Sequence, residues 1–224
     1  MPNLTIAEEN YIKSIFHIQQ AKGNVSTNEL AAKLGARPAS VTDMLKKLKG
    51  KKLLLYEPYQ EFSLSNEGRK HALLIIRKHR LWEYFLAETL QFGWDEVHEV
   101  AEQLEHVSSK KLIDKLDAFL KYPRFDPHGD PIPDSNGKMS LQQQVCLCDL
   151  PVQKAAVVSM VSNQSAELLE LLKEKKIALG SKIEVKKKYV FDNSVEIKVN
   201  NSMAHISGQL ACVLFVKPVH TDEK

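Results

Sequence analysis

Histidine and glutamate recur at helical spacing in the middle of the chain. The residues concerned are His79, Glu83, His98, Glu102, Glu105 and His106. Residues three, four, seven or eight positions apart share one face of an α-helix, so His79 and Glu83 would lie on one face and the later four on another. Two such helices joined near Gly93 would bring three imidazoles and three carboxylates together. This is a ligand set for a divalent first-row metal, with oxygen ligands suited to Mn²⁺ or Fe²⁺.

A solvated helix surface is the alternative interpretation, because exposed helices often carry His and Glu without binding metal. Apolar residues flank both sets, among them Leu81, Phe85, Val97 and Leu104. Faces with such neighbours must pack, and polar groups on a packed face need partners. A cation is one such partner, and the sequence therefore favours a metal site.

Composition places the chain among ordinary globular proteins. It has 224 residues and a net charge of +3, which allows one large domain or two small ones. We expect no secretory signal at the amino terminus, and the longest apolar run, 210–216, is too short to span a bilayer. The three cysteines include Cys146 and Cys148, and their odd number predicts no disulfide framework. We expect a reducing, cytoplasmic location and inert thiols, since a zinc knuckle needs a second Cys or His pair.

The first third predicts a winged helix-turn-helix. Apolar residues at helical spacing predict a helix over 5–21, and Ser26 or Thr27 can cap a second helix. Gly35 then makes a turn, and Pro38 suits the first position of a third helix. Two short apolar runs over 53–65 predict a β-hairpin wing behind these helices.

A basic cluster accompanies this motif and predicts binding to duplex DNA. Residues 33–52 hold seven basic side chains and one acidic one, which is the charge pattern of a phosphate-binding surface. Candidates for base edges are Ser40, Thr42 and Asp43, and candidates for phosphates are Arg37, Lys46, Lys47 and Tyr59. A merely solvated lysine face is the alternative, and some helix-turn-helix folds bind no DNA.

The remainder predicts a helical domain and a small β domain. We expect a long helix over 66–91, a second ligand helix from Asp95, and a third helix with an apolar face made of Leu112, Ile113, Leu116, Phe119 and Leu120. These helices are too few to bury their apolar faces alone, so a homodimer is expected unless that face packs within one chain. A proline-rich linker over 121–140 precedes a helix over 163–176 and strands over 183–191, 195–199 and 210–216. We expect two-residue hairpin turns at 192–193 and 200–201. The expected domains are 1–65, 66–140 and 141–224, the last a small antiparallel barrel with one helix.

Five stretches resemble the diphtheria toxin repressor family of metal-dependent transcription factors, which includes the manganese transport regulators. They are ENYIKSIF, RPASVTDMLKKL, RKHRLWEYFL, VHEVAEQLEHVSS and the proline-rich FDPHGDPIP. The resemblance covers nearly the whole chain. It implies a mainly α fold with a winged helix-turn-helix, a helical metal-binding and dimerisation domain, and a carboxy-terminal SH3-like domain of the FeoA type.

The resemblance also implies roles for individual residues. His79, Glu83 and His98 match the family's ancillary metal site, and Glu102, Glu105 and His106 match its primary, activating site. The first-helix ligand position is Asn10, where the family has Met or Asp, and Glu9 is a possible substitute. Glu102 stands where iron-responsive members have Cys, which favours Mn²⁺, whereas Lys13 stands where some manganese regulators have Glu. Two further candidates in the carboxy-terminal domain are Gln164 and Glu167.

We therefore expect a homodimeric repressor, not an enzyme, that binds operator DNA when Mn²⁺ or Fe²⁺ is bound and controls metal-homeostasis genes. Without metal, the carboxylates of Glu83, Glu102 and Glu105 would repel one another. A di-metal carboxylate enzyme is one rival, but it needs Glu-x-x-His twice, and Asp95 and Gln103 stand three residues before His98 and His106. The other rival is a winged-helix regulator that responds to an organic ligand.

Overall fold

The computed structural model describes residues 4–57, 60–107, 109–139, 143–163 and 165–218. The chain packs as two compact units. The first unit comprises Met1–Leu81, Glu102–Tyr122 and Ile132–Met139, and the second comprises Trp82–Ala101, Pro123–Pro131 and Ser140–Lys224. Among the residues described, no helix has the length and apolar character needed to cross a membrane.

The first half of the chain is mainly helical, as predicted. In chain order its elements are α1 (Ile6–Lys22), α2 (Thr27–Leu34), α3 (Pro38–Gly50), β1 (Leu54–Leu55), β2 (Ser63–Leu64), α4 (Asn66–Glu88), α5 (Val97–Leu104) and α6 (Lys110–Phe119). The long helix ends three residues earlier than predicted, and the second ligand helix begins at Val97 rather than near Asp95.

Capping residues set the ends of the amino-terminal helices. Thr5 and Glu8 form a capping box at the start of α1, and Ser26 and Glu29 form another at the start of α2. Each box satisfies backbone N–H groups that have no partner within the helix. Gly35 ends α2 in the left-handed conformation, with φ of 60°, and the turn into α3 follows. These local signals explain why the sequence located the helices to within one or two residues.

The first unit has its core between the three amino-terminal helices and the wing. Leu30, Leu45 and Phe62 are fully or almost fully buried there. In the wing, β1 pairs with β2 in antiparallel register. Gly68, in the first turn of α4, lies so close to the wing that a Cβ atom would stand 2.0 Å from the carbonyl oxygen of Leu53. The helix and the wing can approach this closely only because position 68 is glycine.

The second unit contains a six-stranded antiparallel sheet with the strand order β3-β8-β4-β5-β6-β7. Its elements are β3 (Val145–Cys146), β4 (Ala155–Val161), α7 (Ala166–Glu174), β5 (Lys182–Lys188), β6 (Val195–Val199), β7 (Ser202–Ile206), α8 (Gly208–Val213) and β8 (Leu214–Pro218). Alternate residues of the strands face an apolar core that also buries Leu169 and Leu172 of α7. A small antiparallel sheet domain was the predicted architecture.

Two details of this domain differ from the prediction, and a third agrees with it. The apolar run over 210–216 was expected to be one strand, but Ser207 caps a short helix that occupies Gly208–Val213, and only then does β8 begin. The hairpin between β5 and β6 is longer than a two-residue turn, since Lys188 pairs with Val195. By contrast, Val199 pairs with Ser202, so the two-residue turn at 200–201 is confirmed.

The proline-rich segment is ordered by backbone contacts in the second unit. The N–H of Val161 in β4 donates to the carbonyl oxygen of His128 over 3.0 Å. Gly129 has φ of +87°, and a Cβ there would stand 2.0 Å from the carbonyl oxygen of Ser159. The segment after Pro123 therefore lies against β4 and holds His128 in a fixed position, which a free linker would not do.

Candidate functional site

The first unit gathers ligand-type side chains from α1, α4 and the end of α5. We name this set the primary cluster; its members are Glu9, Lys13, His79, Glu102, Glu105 and His106. Its centre is Glu105, which is 1% exposed. His79 Nδ1 lies 2.6 Å from Glu105 Oε2, and Lys13 Nζ lies 2.6 Å from the same oxygen. His79 and Glu105, which the sequence predicted on two different helices, thus meet at one buried carboxylate.

His106 joins α1 to this carboxylate. Its Nδ1 donates to Glu9 Oε2 over 2.6 Å, and its Nε2 lies 3.7 Å from Glu105 Oε1. A neutral imidazole that donates from Nδ1 has an acceptor lone pair on Nε2. Two acceptors then face each other, which is the arrangement that a bound cation stabilises. The donor set of buried carboxylate oxygen and imidazole nitrogen fits a divalent first-row metal.

Lys13 is the feature of the cluster whose role the sequence did not indicate. Its ammonium group contacts Glu105 at 2.6 Å and Glu102 at 3.6 Å. The expected repulsion between these carboxylates is therefore offset by a cation of the chain itself. Burial tends to raise the pKa of Glu105, but the hydrogen bond from His79 and the charge of Lys13 outweigh it and lower that pKa.

On α1, Glu9 rather than Asn10 contacts the primary cluster. Asn10 is exposed, whereas Glu9 contacts His106 and also lies 3.6 Å from Lys78 Nζ. Glu102 is more exposed than its neighbours, with 54% of its side chain accessible. Glu102 is therefore the carboxylate of this cluster that an ion from solvent can reach most easily.

The second unit holds a separate group of buried side chains, which we name the auxiliary cluster. Its members are Glu83, His98, Asp126 and His128. His98 Nδ1 lies 3.0 Å from Glu83 Oε1, and His128 Nδ1 lies 3.9 Å from the same oxygen. Candidate ligand atoms of Glu83, Asp126 and His128 all lie within 4.8 Å of one another. The pair Glu83 and His98 was predicted; Asp126 and His128 come from the segment that the sequence offered only as a family signature.

His128 is oriented as a metal ligand would be. Its Nε2 donates to the carbonyl oxygen of Trp94 over 2.8 Å, and the Trp94 ring stacks on it. Over the ranges that the structure describes, its buried Nδ1 has no hydrogen-bond partner. An imidazole that donates one N–H to a carbonyl and presents its other nitrogen is the usual arrangement of a metal-bound histidine. Asp126 meanwhile fixes the turn, since its Oδ1 accepts from the N–H groups of His128 and Asp130.

Three predicted ligands remain, and the auxiliary cluster as defined here includes none of them. His79 precedes Glu83 by one turn of α4, and its Nδ1 is engaged by Glu105 of the primary cluster. Glu167 is exposed in the first turn of α7, and within the described part of the chain it belongs to no group of candidate ligands. Gln164 lies outside the described residues.

The candidate DNA surface is the outer face of α3. Arg37, Ser40 and Lys46 are exposed, and Asp43 is exposed beside Lys46, 3.4 Å away. Thr42 is half-buried, and its hydroxyl donates to the carbonyl oxygen of Pro38, so this side chain is partly engaged within the helix. Lys47 lies 3.4 Å from the buried Glu8. Tyr59 lies outside the described residues.

Three known protein domains match successive parts of the chain. Residues 3–61 match the iron dependent repressor N-terminal DNA binding domain, residues 65–134 match the iron dependent repressor metal binding and dimerisation domain, and residues 145–218 match the FeoA domain. The fold and the clusters thus define a metal-dependent DNA-binding regulator.

Individual relatives agree with these matches. The transcriptional regulator MntR of Oceanobacillus iheyensis is 31% identical over 122 residues, which cover 54% of this chain and 82% of MntR. The iron-dependent repressor IdeR of Mycobacterium leprae is 29% identical over 133 residues, covering 59% of this chain; the match spans only 58% of IdeR. A solved manganese-dependent transcriptional repressor in complex with manganese superposes with a TM-score of 0.87 at 29% identity, covering 95% of this chain and 100% of that one.

The chain therefore belongs to the iron-dependent repressor (diphtheria toxin repressor and MntR) family. The family consists of metal-dependent transcriptional repressors and not of enzymes, as the sequence predicted.

Proposed function

We propose that the chain is a homodimeric, cytoplasmic repressor that binds operator DNA of metal-homeostasis genes when Mn²⁺ is bound. The proposed domains are a DNA-binding domain over 1–65, a metal-binding and dimerisation domain over 66–140, and a FeoA-type domain over 141–224. The observation that carries the proposal is the convergence of Glu9, Glu105 and His106 in the primary cluster, where Glu105 Oε1 and His106 Nε2 lie 3.7 Å apart. The DNA-binding helices begin with α1, and α1 supplies Glu9 to the same cluster.

Mn²⁺ is preferred over Fe²⁺ because of the ligand chemistry. The two clusters contain carboxylates and imidazoles, and both lack a thiolate among the residues described. Oxygen-rich sites suit Mn²⁺, whereas thiolates favour softer ions. Relatives include both a manganese-dependent and an iron-dependent repressor, so the proposed preference for Mn²⁺ rests on the ligand types of this chain.

Glu9, Glu105 and His106 would hold the activating ion. His79 would orient Glu105, and Glu102 would be the solvent-exposed carboxylate of the cluster. A bound divalent ion supplies the positive charge that lets these acceptors lie together. Glu9 belongs to α1, while Glu105 and His106 directly follow α5, so these residues tie the DNA-binding helices to the end of the metal-binding helix. Lys13 fixes Glu105 through a charge-assisted hydrogen bond when no external cation does so.

The auxiliary cluster would hold a second ion through Glu83 and His98, with His128 as an additional ligand. Glu83 and His128 are fully buried, and a buried carboxylate costs free energy unless it is paired. Asp126 fixes the backbone turn that presents His128. These residues join the proline-rich segment to α4 and α5 within the second unit.

The DNA contacts would come from α3. Arg37, Lys46 and Lys47 are proposed to contact phosphates together with Tyr59, and Ser40, Thr42 and Asp43 are proposed to contact base edges. The exposed outer face of α3 supports this assignment.

Fluorescence anisotropy of labelled promoter fragments tests the proposal. The affinity of the wild-type chain is measured with chelator, Mn²⁺, Fe²⁺ or Zn²⁺ at one fixed salt concentration, because phosphate contacts make affinity strongly salt-dependent. We expect Mn²⁺ to tighten binding at least about tenfold, equivalent to about 1.4 kcal/mol. The variant Glu105→Gln should lose most of this enhancement while remaining folded, and Glu170→Gln, an exposed position on α7, serves as the control. Equal affinity with chelator and with every ion would overturn the proposal.

A further inference from the structure

Three cysteines meet in the second unit, two of them close in the sequence and one more than sixty residues later. Cys146 lies in β3, Cys148 follows two residues later, and Cys212 lies in α8. The sulfur atoms of Cys146 and Cys148 are 2.7 Å apart, and all three sulfur atoms lie within 4.8 Å of one another. The chain contains three cysteines in all, so every thiol of the protein belongs to this cluster. The sequence predicted a buried or inert role for each thiol and did not indicate that the three would lie together.

The fold fixes the positions of these sulfur atoms. Leu147 is fully buried, and its N–H donates to the carbonyl oxygen of Leu214 over 2.8 Å. Cys146 ends β3, and Cys148 lies in the turn that follows, in which the N–H of Asp149 donates to the carbonyl oxygen of Cys146 over 2.9 Å. Cys212 is held opposite them because Leu210 and Ala211 anchor α8 in the core. The cluster is therefore built on core elements.

Solvent and ions can reach the cluster. Cys212 is exposed, and Cys148 and Cys212 line a cavity of about 740 Å³. Lys188, on the same cavity wall, donates from Nζ to the carbonyl oxygen of Cys148 over 2.5 Å.

The chemistry of three adjacent thiols points to a soft metal ion. Burial, together with the hydrogen bonds of the two neighbouring thiols, raises the pKa of Cys148 to about 12. Without a metal, the Cys148 thiol is therefore protonated and poorly nucleophilic at neutral pH. A thiophilic ion removes this penalty, because it stabilises the thiolates it binds and releases their protons. Zinc binds thiolate sulfur at about 2.3 Å, so a tetrahedral ion would hold two sulfur ligands about 3.8 Å apart. The sulfur atoms of Cys146 and Cys148 are 2.7 Å apart, so they would separate by about 1 Å when an ion binds.

We propose that Cys146, Cys148 and Cys212 form a binding site for one thiophilic d¹⁰ ion, of the class of Zn²⁺, Cd²⁺ or Cu⁺. The site differs from the primary and auxiliary clusters in both position and ligand type. It lies in the FeoA-type domain, and its three sulfur ligands select against the Mn²⁺ that carboxylates favour. The chain would then bind two chemically different classes of metal ion at different places. The inference does not depend on the proposed repressor activity.

Cadmium titration of the reduced full-length chain, followed by ultraviolet absorption, tests this site. Thiolate-to-cadmium charge transfer absorbs in the ultraviolet, and carboxylates and imidazoles give no such band. Because the chain has no cysteine elsewhere, any such band reports on this cluster. We expect the band to saturate at one Cd²⁺ per chain. No band, or a band that rises without a break at one equivalent, would overturn the proposal.

Serine variants identify the ligands. Cys146→Ser, Cys148→Ser and Cys212→Ser should each reduce the band by about a third or more, and Glu170→Gln, at an exposed position of α7, should leave it unchanged. A full band in Cys212→Ser would exclude a three-sulfur site. Circular dichroism checks the folding of each variant.

A measurement on the wild-type chain covers the case in which a serine variant fails to fold. One equivalent of Zn²⁺ should slow alkylation of the three thiols at least tenfold, and one equivalent of Mn²⁺ should not. Equal alkylation rates with Zn²⁺ and with chelator would overturn the proposal.

Discussion

At the scale of single residues, Glu105 is where the opposing charges of the primary cluster meet. One of its oxygens contacts both His79 and Lys13, and the other faces His106. The carboxylate is almost completely buried, and burying an ion without partners is costly. Lys13 and His79 therefore stabilise the metal-free chain at the same carboxylate that a metal would use. It follows that Lys13 and an activating ion compete for Glu105.

The variant Lys13→Met tests this competition. Methionine keeps the length of the side chain and removes its charge, so Glu105 and Glu102 lose their shared cation. We expect Mn²⁺ affinity, measured by calorimetry, to rise about tenfold, which is about 1.4 kcal/mol. The metal-free variant should unfold at lower temperature, because a buried carboxylate loses its partner.

Lys110→Met, at an exposed position of α6, is the matched control for charge and size. It should change neither quantity. Weaker Mn²⁺ binding by Lys13→Met than by the control would contradict the competition and assign Lys13 a supporting role in the site.

The sequence predicted those cluster residues that lie close together along the chain, and it did not predict contacts between residues that are far apart. His79, Glu83 and the residues from His98 to His106 were recognisable because helical spacing is a local property. The contact between Lys13 and Glu105 joins residues 92 positions apart, and no local pattern encodes it. His128 comes from a segment without periodicity, and its role depends on how that segment lies on β4.

At the scale of elements, Glu8 links the start of α1 to the end of α3. Its side chain is fully buried and lies 2.7 Å from Lys51 Nζ and 3.4 Å from Lys47 Nζ, and it accepts from the N–H of Thr5. Burial opposes ionisation, but Lys51 and Thr5 outweigh it and lower the pKa of Glu8 to about 2. Lys47 is also a candidate phosphate ligand, so this contact joins the stability of α1 to the DNA surface.

Replacing Glu8 with Gln should destabilise the DNA-binding domain in a pH-dependent way. Because the pKa is lower in the folded state than its ordinary value of 4.5, the carboxylate stabilises the fold above that pH. The contribution decreases as the pH falls from about 4.5 to about 2. Urea unfolding at pH 7 should show a loss of about 1–3 kcal/mol, and the difference from wild type should shrink in acid. Glu170→Gln should show neither effect, and a difference for Glu8→Gln that is independent of pH would refute the assignment.

Helices were predictable where capping residues and turn residues indicate their ends. Thr5 and Ser26 begin helices through capping boxes, and Gly35 ends one. The short helix α8 was missed because its residues form one continuous apolar run with β8, which has neither helical nor strand periodicity. Only Ser207, which accepts from the N–H of Leu210, distinguishes the two, and a single serine is a weak signal in a sequence.

At the scale of the whole molecule, α6 offers the surface for a dimer. Ile113 and Leu116 are buried within the chain, whereas Leu112 and Phe119 are 44% and 65% exposed. Leu112 and Phe119 are seven residues apart and share one helical face. Burying such a face against a second copy is favourable, and the match to a dimerisation domain agrees with this.

Replacing Leu112 with Asp should weaken the dimer, because a carboxylate in the interface would lose its hydration. We expect sedimentation to show a shift from dimer towards monomer at micromolar concentration. Operator affinity should fall at least tenfold, since two joined helix-turn-helix motifs bind two half-sites together. Phe191→Asp, at a fully exposed residue between β5 and β6, should leave the dimer intact. A fully dimeric Leu112→Asp chain would place the interface elsewhere.

Coupling between metal and DNA makes a prediction about the complete complex. If Mn²⁺ tightens operator binding by a given factor, saturating operator DNA must tighten Mn²⁺ binding by the same factor, because both changes close one thermodynamic cycle. Mn²⁺ affinity is measured by competition with a fluorescent chelator, without DNA, with operator DNA and with a scrambled duplex of equal length. The chain is kept at one salt concentration and above the dimer dissociation constant. We expect about a tenfold increase with operator DNA, less with the scrambled duplex, and none with either for Glu105→Gln. Unequal factors in the two directions would mean that Mn²⁺ acts on DNA binding through a further equilibrium, such as aggregation, rather than through the primary cluster.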